Sequence, residues 1–149
     1  MSKMTVRAGR KDDFAQWELL WDGYTRFYKC EPDTKLTAIT WQRLFDPYEP
    51  MFVRVAEVDG KIAGIVHYLF HRSTSMIEPV CYLQDLFTAD GLRGTGVGRA
   101  LIEAVYTRAK ESGATRVYWM THETNATAMT LYDKIAVKSG FLQYRKELG

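Results

Sequence analysis

Cysteine is nearly absent from this chain. Cys30 and Cys81 stand alone without Cys-x-x-Cys spacing, so the expectation is two reduced, partly buried thiols and no disulfide. Histidine is equally scarce. His67 and His71 are four apart, a ligand spacing on a helix, but the run around them reads as a strand on which they share one face. With no cysteine or carboxylate cluster beside them, no metal site is expected. No apolar run reaches the ~18 residues of a membrane span. The start, Met1-Ser2-Lys3-Met4, has no signal-peptide core, so a cytoplasmic protein is expected by default. A net charge of only +2 gives no argument for nucleic acid or membrane surfaces as partners. Repeats, low-complexity segments and linkers are also missing, which predicts one domain over residues 1–149. A chain of this length buries roughly 70% of its unfolded surface and needs no disulfide or metal to fold.

What is present is a glycine cluster between a strand-like and a helix-like run: Arg93-Gly94-Thr95-Gly96-Val97-Gly98-Arg99. Glycine tolerates positive φ and lets backbone N–H groups approach a ligand. N–H groups opening a helix make an anion site that the helix dipole strengthens. A phosphate cradle is therefore predicted. It is not a Walker loop, because Val97 follows Gly96 where Lys is required. It is not a dinucleotide fingerprint, because Arg99 stands where the third glycine belongs. A flexible turn between strand and helix is the plain alternative.

The rest of the pattern alternates strands and helices. Thr5-Val6-Arg7 reads as a first strand. Asp12 and Asp13 can cap a helix whose apolar residues are Phe14, Trp17, Trp21, Tyr24 and Tyr28. A short helix is expected over Thr40 to Phe45. Phe52 to Val58 and Lys61 to Phe70 form a hairpin closed by Asp59-Gly60, a type I′ signal. Val80 to Thr88 is a strand apolar on both faces and hence central. The helix after it carries the stripe Val97, Leu101, Ala104, Val105 and Ala109, with Gly113 ending it. Arg116 to Met120 is a strand. Asn125 caps a helix bearing Ala128, Leu131, Tyr132 and Ile135, and Phe141 to Lys146 is a last strand.

Two motifs identify a family resemblance. Arg93-Gly-x-Gly-x-Gly98, after a strand ending Leu86-Phe87-Thr88, resembles motif A of the GNAT superfamily of N-acetyltransferases. Asn125-x-x-Ala128-x-x-Leu131-Tyr132 resembles its motif B. The aromatic start, Trp17-x-x-Leu20-Trp21-x-x-Tyr24-x-x-Phe27-Tyr28, with Asp46-Pro47 and Tyr118-Trp119, is most similar to the branch of histone, polyamine and D-amino-acid acetyltransferases. The resemblance implies an α/β (α+β) GNAT fold. Its mixed, mostly antiparallel sheet splays between the fourth and fifth strands and is flanked by about four helices. It implies direct transfer of acetyl from acetyl-CoA to a primary amine of a small molecule, a polyamine or an amino acid, with a protein lysine as the lesser alternative. A homodimer is implied too. A catalytically silent acyl-CoA sensor on the same fold is the rival.

The resemblance also distributes roles. Arg93, Gly94, Thr95, Gly96, Val97, Gly98 and Arg99 would hold the pyrophosphate. Leu86, Phe87 and Thr88 would pair with the pantetheine amides, as a peptide adds to a sheet edge, and one of the Leu86 and Phe87 N–H groups would face the thioester oxygen. Asn125 would contact the pantetheine arm. Tyr132 would be the general acid: a phenol of pKa about 10 can protonate a leaving thiolate of pKa about 8.5. A tyrosine packed in the core is the alternative. An aliphatic amine of pKa about 10 must lose a proton before it attacks. Relatives often place Glu just before the residue equivalent to Asp85, where this chain has Gln84. Asp85, Glu123 and His122 remain as candidate bases, directly or through water. In a regular strand Asp85 shares a face with Leu83 and Phe87. Tyr24, Tyr28 and Glu123 are candidate acceptor contacts, since the first helices of the superfamily roof that pocket. Where relatives end motif B with Tyr-x-x-x-Gly-Phe, Ala136-Val137 stands here and Gly140-Phe141 comes four residues later.

Overall fold

The computed structural model describes residues 3–149, which fall into two compact units, one ending at Trp119 and one from Met120 to Gly149. The first unit holds a five-stranded sheet in the order β1 (Met4–Ala8), β2 (Met51–Val58), β3 (Lys61–His71), β4 (Val80–Thr88) and β5 (Val117–Tyr118). Neighbouring strands are antiparallel except β4 and β5, which run parallel. Three helices pack on it: α1 (Phe14–Phe27), α2 (Thr34–Leu44) and α3 (Val97–Glu111).

The hairpin turn forms as its residues require, with φ of 53° at Asp59 and 82° at Gly60, both positive as a type I′ turn demands. Gly113, at φ 86°, follows α3, and the Ala114 N–H reaches back to the Ala109 carbonyl. On α3 the buried stripe is Val97, Leu101, Ile102, Val105 and Ala109; Ala104 is only half-buried.

The two faces of the sheet are covered by different helices. Ile65 packs in a cluster with Trp17 and Leu20 of α1, Leu44 of α2, Val53, Val55 and Phe87. Its neighbour Gly64 faces Val97 and Leu101 of α3. Adjacent strand residues point to opposite faces, so α1 and α2 cover one side and α3 the other.

Several boundaries differ from the sequence expectation. Helix α2 starts six residues earlier, at Thr34, because the Asp33 carboxylate accepts from the N–H groups of Lys35 and Leu36 and caps it. Asp13 makes no such cap for α1. Its carboxylate accepts two hydrogen bonds from Arg7 at 2.8 and 2.9 Å and one from the Arg10 N–H. Strand β5 keeps only Val117 and Tyr118 of the expected 116–120. Cys30 is exposed where a partly buried thiol was expected, and Cys81 is fully buried.

The second unit contains α4 (Ala126–Ile135), followed by a segment without regular structure to Gly149. The strand expected over Phe141 to Lys146 does not form. Phe141, Leu142 and Tyr144 are each more than four-fifths exposed, and among the described residues no ladder partner satisfies the backbone there.

Candidate active site

The site begins with an irregularity in β4. His67 pairs with Asp85, but the next residue, Tyr68, pairs with Leu83, so Gln84 is an extra residue bulged out of the ladder. Gln84 is exposed. Cross-strand partners share a face, so the bulge corrects the regular-strand expectation. Asp85 and Phe87 face α1 together with His67 and Ile65, while Leu83 faces the other side with Tyr68.

The bulge also marks where β4 loses a neighbour. The β4–β5 ladder consists of Cys81 with Val117 and Tyr82 with Tyr118 and goes no further. From Leu83 to Thr88 the β4 edge on that side has no strand beside it among the described residues, while its other edge stays paired to β3 through Thr88 opposite Gly64. Backbone groups alternate between the two edges: the Ala89 N–H donates to the Ala63 carbonyl of β3, Phe87 turns the same way, and the groups of Leu86 and Thr88 line the open edge, so the edge role expected of the Phe87 backbone is not met.

That edge leads into the glycine turn. Gly91, Gly94 and Gly96 have φ of 83°, 81° and 92°, conformations that side chains resist. Gly96 is the N-cap of α3, whose first intrahelical bond runs from the Ala100 N–H to the Gly96 carbonyl. The N–H groups of Val97, Gly98 and Arg99 are left outside the helical ladder, as at any helix start. The Val97 side chain is buried, so only its backbone can serve a ligand. Thr95 Oγ1 donates to the Leu92 carbonyl and holds the turn. The Arg93 guanidinium lies 5.2 Å from the Phe27 ring centre and 5.0 Å from that of Phe87, and pairs with Asp90. Arg99 pairs with Glu103 one turn along α3.

Asp85 lies on the α1 face in an aromatic surround. The Tyr24 hydroxyl donates to its carboxylate, and burial together with that carboxylate pushes the Tyr24 phenol far above its ordinary value. Tyr28 is pushed up as well, by burial first and the Asp85 charge second. Both phenols are held in the protonated form near the anion, and Tyr24 is its donor. The rings continue as a stack: Trp17 on Trp21 at 5.8 Å, and Trp21 on Tyr24 at 5.4 Å. Phe87 meets Tyr24 edge-on at 6.2 Å. On the sheet side His67 Nδ1 is 3.0 Å from Asp85 Oδ2.

The structure therefore brings together Asp85, Leu86, Phe87, Thr88, Tyr24, Tyr28 and the turn from Arg93 to Arg99. The other expected residues belong to the second unit. Asn125 sits at the N-cap of α4, but its side chain makes no cap; its Nδ2 is 3.4 Å from Thr121 Oγ1. Tyr132 is half-buried on α4, seven residues on. Glu123 is exposed, and the His122 ring bonds the Thr124 hydroxyl at 2.7 Å. Sequence reasoning missed His67 and Trp17. The signal was available: a histidine inside the apolar strand Lys61–His71 requires a buried polar partner. His71 goes elsewhere, to the Tyr118 hydroxyl at 2.8 Å.

Residues 15–136 match the acetyltransferase (GNAT) family. The chain belongs to that family. This acetyltransferase is 35% identical over 146 residues to the D-amino-acid N-acetyltransferase HPA3 of Saccharomyces cerevisiae, spanning 97% of this chain and 91% of that protein. Solved acetyltransferases share its fold. A probable acetyltransferase superposes with a TM-score of 0.87 at 17% identity, covering 97% of this chain and 98% of that one. The aminoglycoside N-acetyltransferase AAC(6')-Iy in complex with CoA gives 0.83 at 17% identity, covering 99% and 96%. The chain is an N-acetyltransferase of the GNAT fold.

Proposed function

We propose that this acetyltransferase moves an acetyl group from acetyl-CoA directly to the primary amine of a small molecule. The observation that carries this reading is the open β4 edge from Leu83 to Thr88 leading into the positive-φ glycines and free N–H groups at the start of α3. An extended amide-bearing arm can pair with such an edge, and a pyrophosphate suits such a helix start. Arg93 and Arg99 add charge, and their present partners, Asp90 and Glu103, are exposed and exchangeable. The residues fit the cofactor. When bound it supplies the activated thioester, and the N–H of Leu86, on the open edge, serves the oxygen that gains charge.

On the acceptor side Asp85 is the anion. Its carboxylate lies beside Tyr24 and Tyr28, with Trp21 stacked on Tyr24, an aromatic surround that suits an ammonium. It receives the acceptor as R–NH3+, takes one proton and leaves R–NH2 to attack; the proton then passes to solvent. Tyr132 protonates the departing thiolate and recovers its proton, through solvent, from the nitrogen of the tetrahedral intermediate, and Asn125 holds the pantetheine arm, roles that rest on the family motif. Likeness to HPA3 makes D-amino acids the first acceptors to try. The whole chain acts as one domain in the cytoplasm, as a homodimer that covers the apolar side chains of the exposed 137–148 tail.

The test is acetyl-CoA turnover against D-amino acids, L-amino acids, polyamines and basic peptides. Turnover with small amines, lost in Asp85→Asn, is the expected result. Tight acetyl-CoA binding without CoA release for any amine would make the chain a sensor. Light scattering checks the dimer.

A further inference from the structure

The proton on His67 can be located from its neighbours. The Trp17 indole Nε1 lies 3.0 Å from His67 Nε2, and both residues are buried. An indole N–H is a donor only. His67 Nε2 must therefore present its lone pair, and the ring proton of the neutral imidazole must sit on Nδ1. Nδ1 is the nitrogen that faces Asp85 Oδ2 at 3.0 Å. The three side chains form a directed series in which Trp17 donates to His67 and His67 donates to Asp85. Packing holds the ring as well: Trp21 meets it edge-on at 5.3 Å and Trp17 lies 5.9 Å away.

We infer that His67 is a positioning residue, fixed by the Trp17 indole as its Nδ1–H tautomer, that holds the Asp85 carboxylate as the acceptor-binding anion and does not itself carry the proton. The roles of the familiar histidine–carboxylate pair are reversed. In a hydrolase triad the carboxylate orients a histidine whose other nitrogen faces the nucleophilic hydroxyl and takes its proton. Here that other nitrogen faces a core tryptophan that is fully buried. His67 cannot accept at Nδ1, which already bears hydrogen, nor at Nε2 without breaking the indole bond. The acceptor's proton goes to Asp85, whose carboxylate has lone pairs beyond those taken by His67 and Tyr24. The Gln84 bulge is part of the device. It restarts the register so that Asp85, and not its neighbour, lies opposite His67. The inference rests on the proposed role of Asp85 as the acceptor-side carboxylate.

Two measurements test it. Long-range nitrogen NMR on the ligand-free protein at about pH 8, where an ordinary imidazole is neutral, should show His67 as the Nδ1–H tautomer. The Nε2–H form overturns the inference, whatever the reaction proves to be. Kinetics supply the second readout. His67→Asn keeps an N–H near the Nδ1 position, and His67→Leu keeps only bulk. His67→Asn should retain kcat/KM for the amine within about fivefold. His67→Leu should lose roughly tenfold to a hundredfold, the scale of a misplaced catalytic group, with KM for acetyl-CoA unchanged. If Asn is as inactive as Leu, His67 is the base and the inference fails. If Leu is fully active, His67 positions nothing and it fails as well. A wild-type protein that acetylates no amine would sink the proposed function while the tautomer measurement still reads.

Discussion

A Cβ on Gly64 would lie 2.6 Å from Cγ1 of Val97, so strand β3 and the first turn of α3 meet with no room for a side chain between them. The same Cβ would come within 2.9 Å of Leu101 Cδ1 and 3.3 Å of the Phe87 carbonyl oxygen. This contact presses the start of α3 against the sheet beside the end of β4, where the proposed anion cradle meets the open edge. Gly64→Ala is expected to force α3 outward. Overpacking of this kind costs about 1–3 kcal/mol, or roughly 2–4 °C in Tm per kcal/mol for a chain of this size. KM for acetyl-CoA should rise more than kcat falls. Calorimetry and steady-state kinetics on the one variant check both.

Gly98 behaves differently. A Cβ there would make ordinary contacts, 3.7 Å from Thr88 Oγ1 and 3.9 Å from Leu86 Cδ2. As a helical residue in α3 it should accept alanine with a gain of about 0.5–1 kcal/mol. The new methyl would stand over the β4 end where the cofactor is proposed to lie. Gly98→Ala should therefore raise Tm and weaken acetyl-CoA binding together. A variant that gains stability with unchanged affinity would move the cofactor away from this turn.

Tyr132→Phe removes one hydroxyl from the proposed acid. The loss in kcat should be about 10²- to 10⁴-fold, the usual share of a general acid, with acetyl-CoA affinity preserved. The alkaline limb of the kcat profile should vanish with it. A rate unchanged across pH would leave Tyr132 a packing residue of α4.

The Arg7–Asp13 pair gives a prediction about stability. The Arg7 hydrogen bonds hold the buried Asp13 carboxyl below its ordinary value, against the opposing effect of burial. A carboxyl depressed in the native state contributes stability above its unfolded value of about 3.9, and that contribution is lost as pH falls through the native value. Asp13→Asn should be less stable by roughly 3 kcal/mol at neutral pH, the lower end for a broken buried pair because Glu57 still holds Arg7 at 2.6 Å. The difference between the two proteins should shrink below about pH 4. Urea melts across pH would show a constant gap if Asp13 did not titrate with folding.

The thiols should separate by reactivity. Burial pushes Cys81 up to about 11, while Cys30 is exposed. One thiol per native chain should react promptly with an aromatic disulfide reagent, and the second only on unfolding. Cys30→Ser should abolish the fast phase.

Much of the proposed cofactor side was legible in the sequence because it depends on local rules. Gly94 and Gly96, which take positive φ, a type I′ Asp-Gly turn and an apolar strand over Val80 to Thr88 each declare themselves within a few residues. The acceptor side was less legible. Trp17 and His67 are 50 residues apart, and each alone reads as core. Gln84 read as a replaced catalytic residue, and its structural part, one extra residue in a ladder, is defined only against β3. The last strand failed for the same reason. Phe141 to Lys146 has strand composition, but a strand exists only with a partner for its backbone.

The sequence by itself determined the hairpin, the central strand, the glycine turn and the family, because periodicity, turn chemistry and helix starts act over short spans of chain. Tertiary structure alone decided which nitrogen of His67 holds the proton and where Asp85 points. Those follow from a register between two strands and an indole delivered from a helix, and no local stretch of chain contains either.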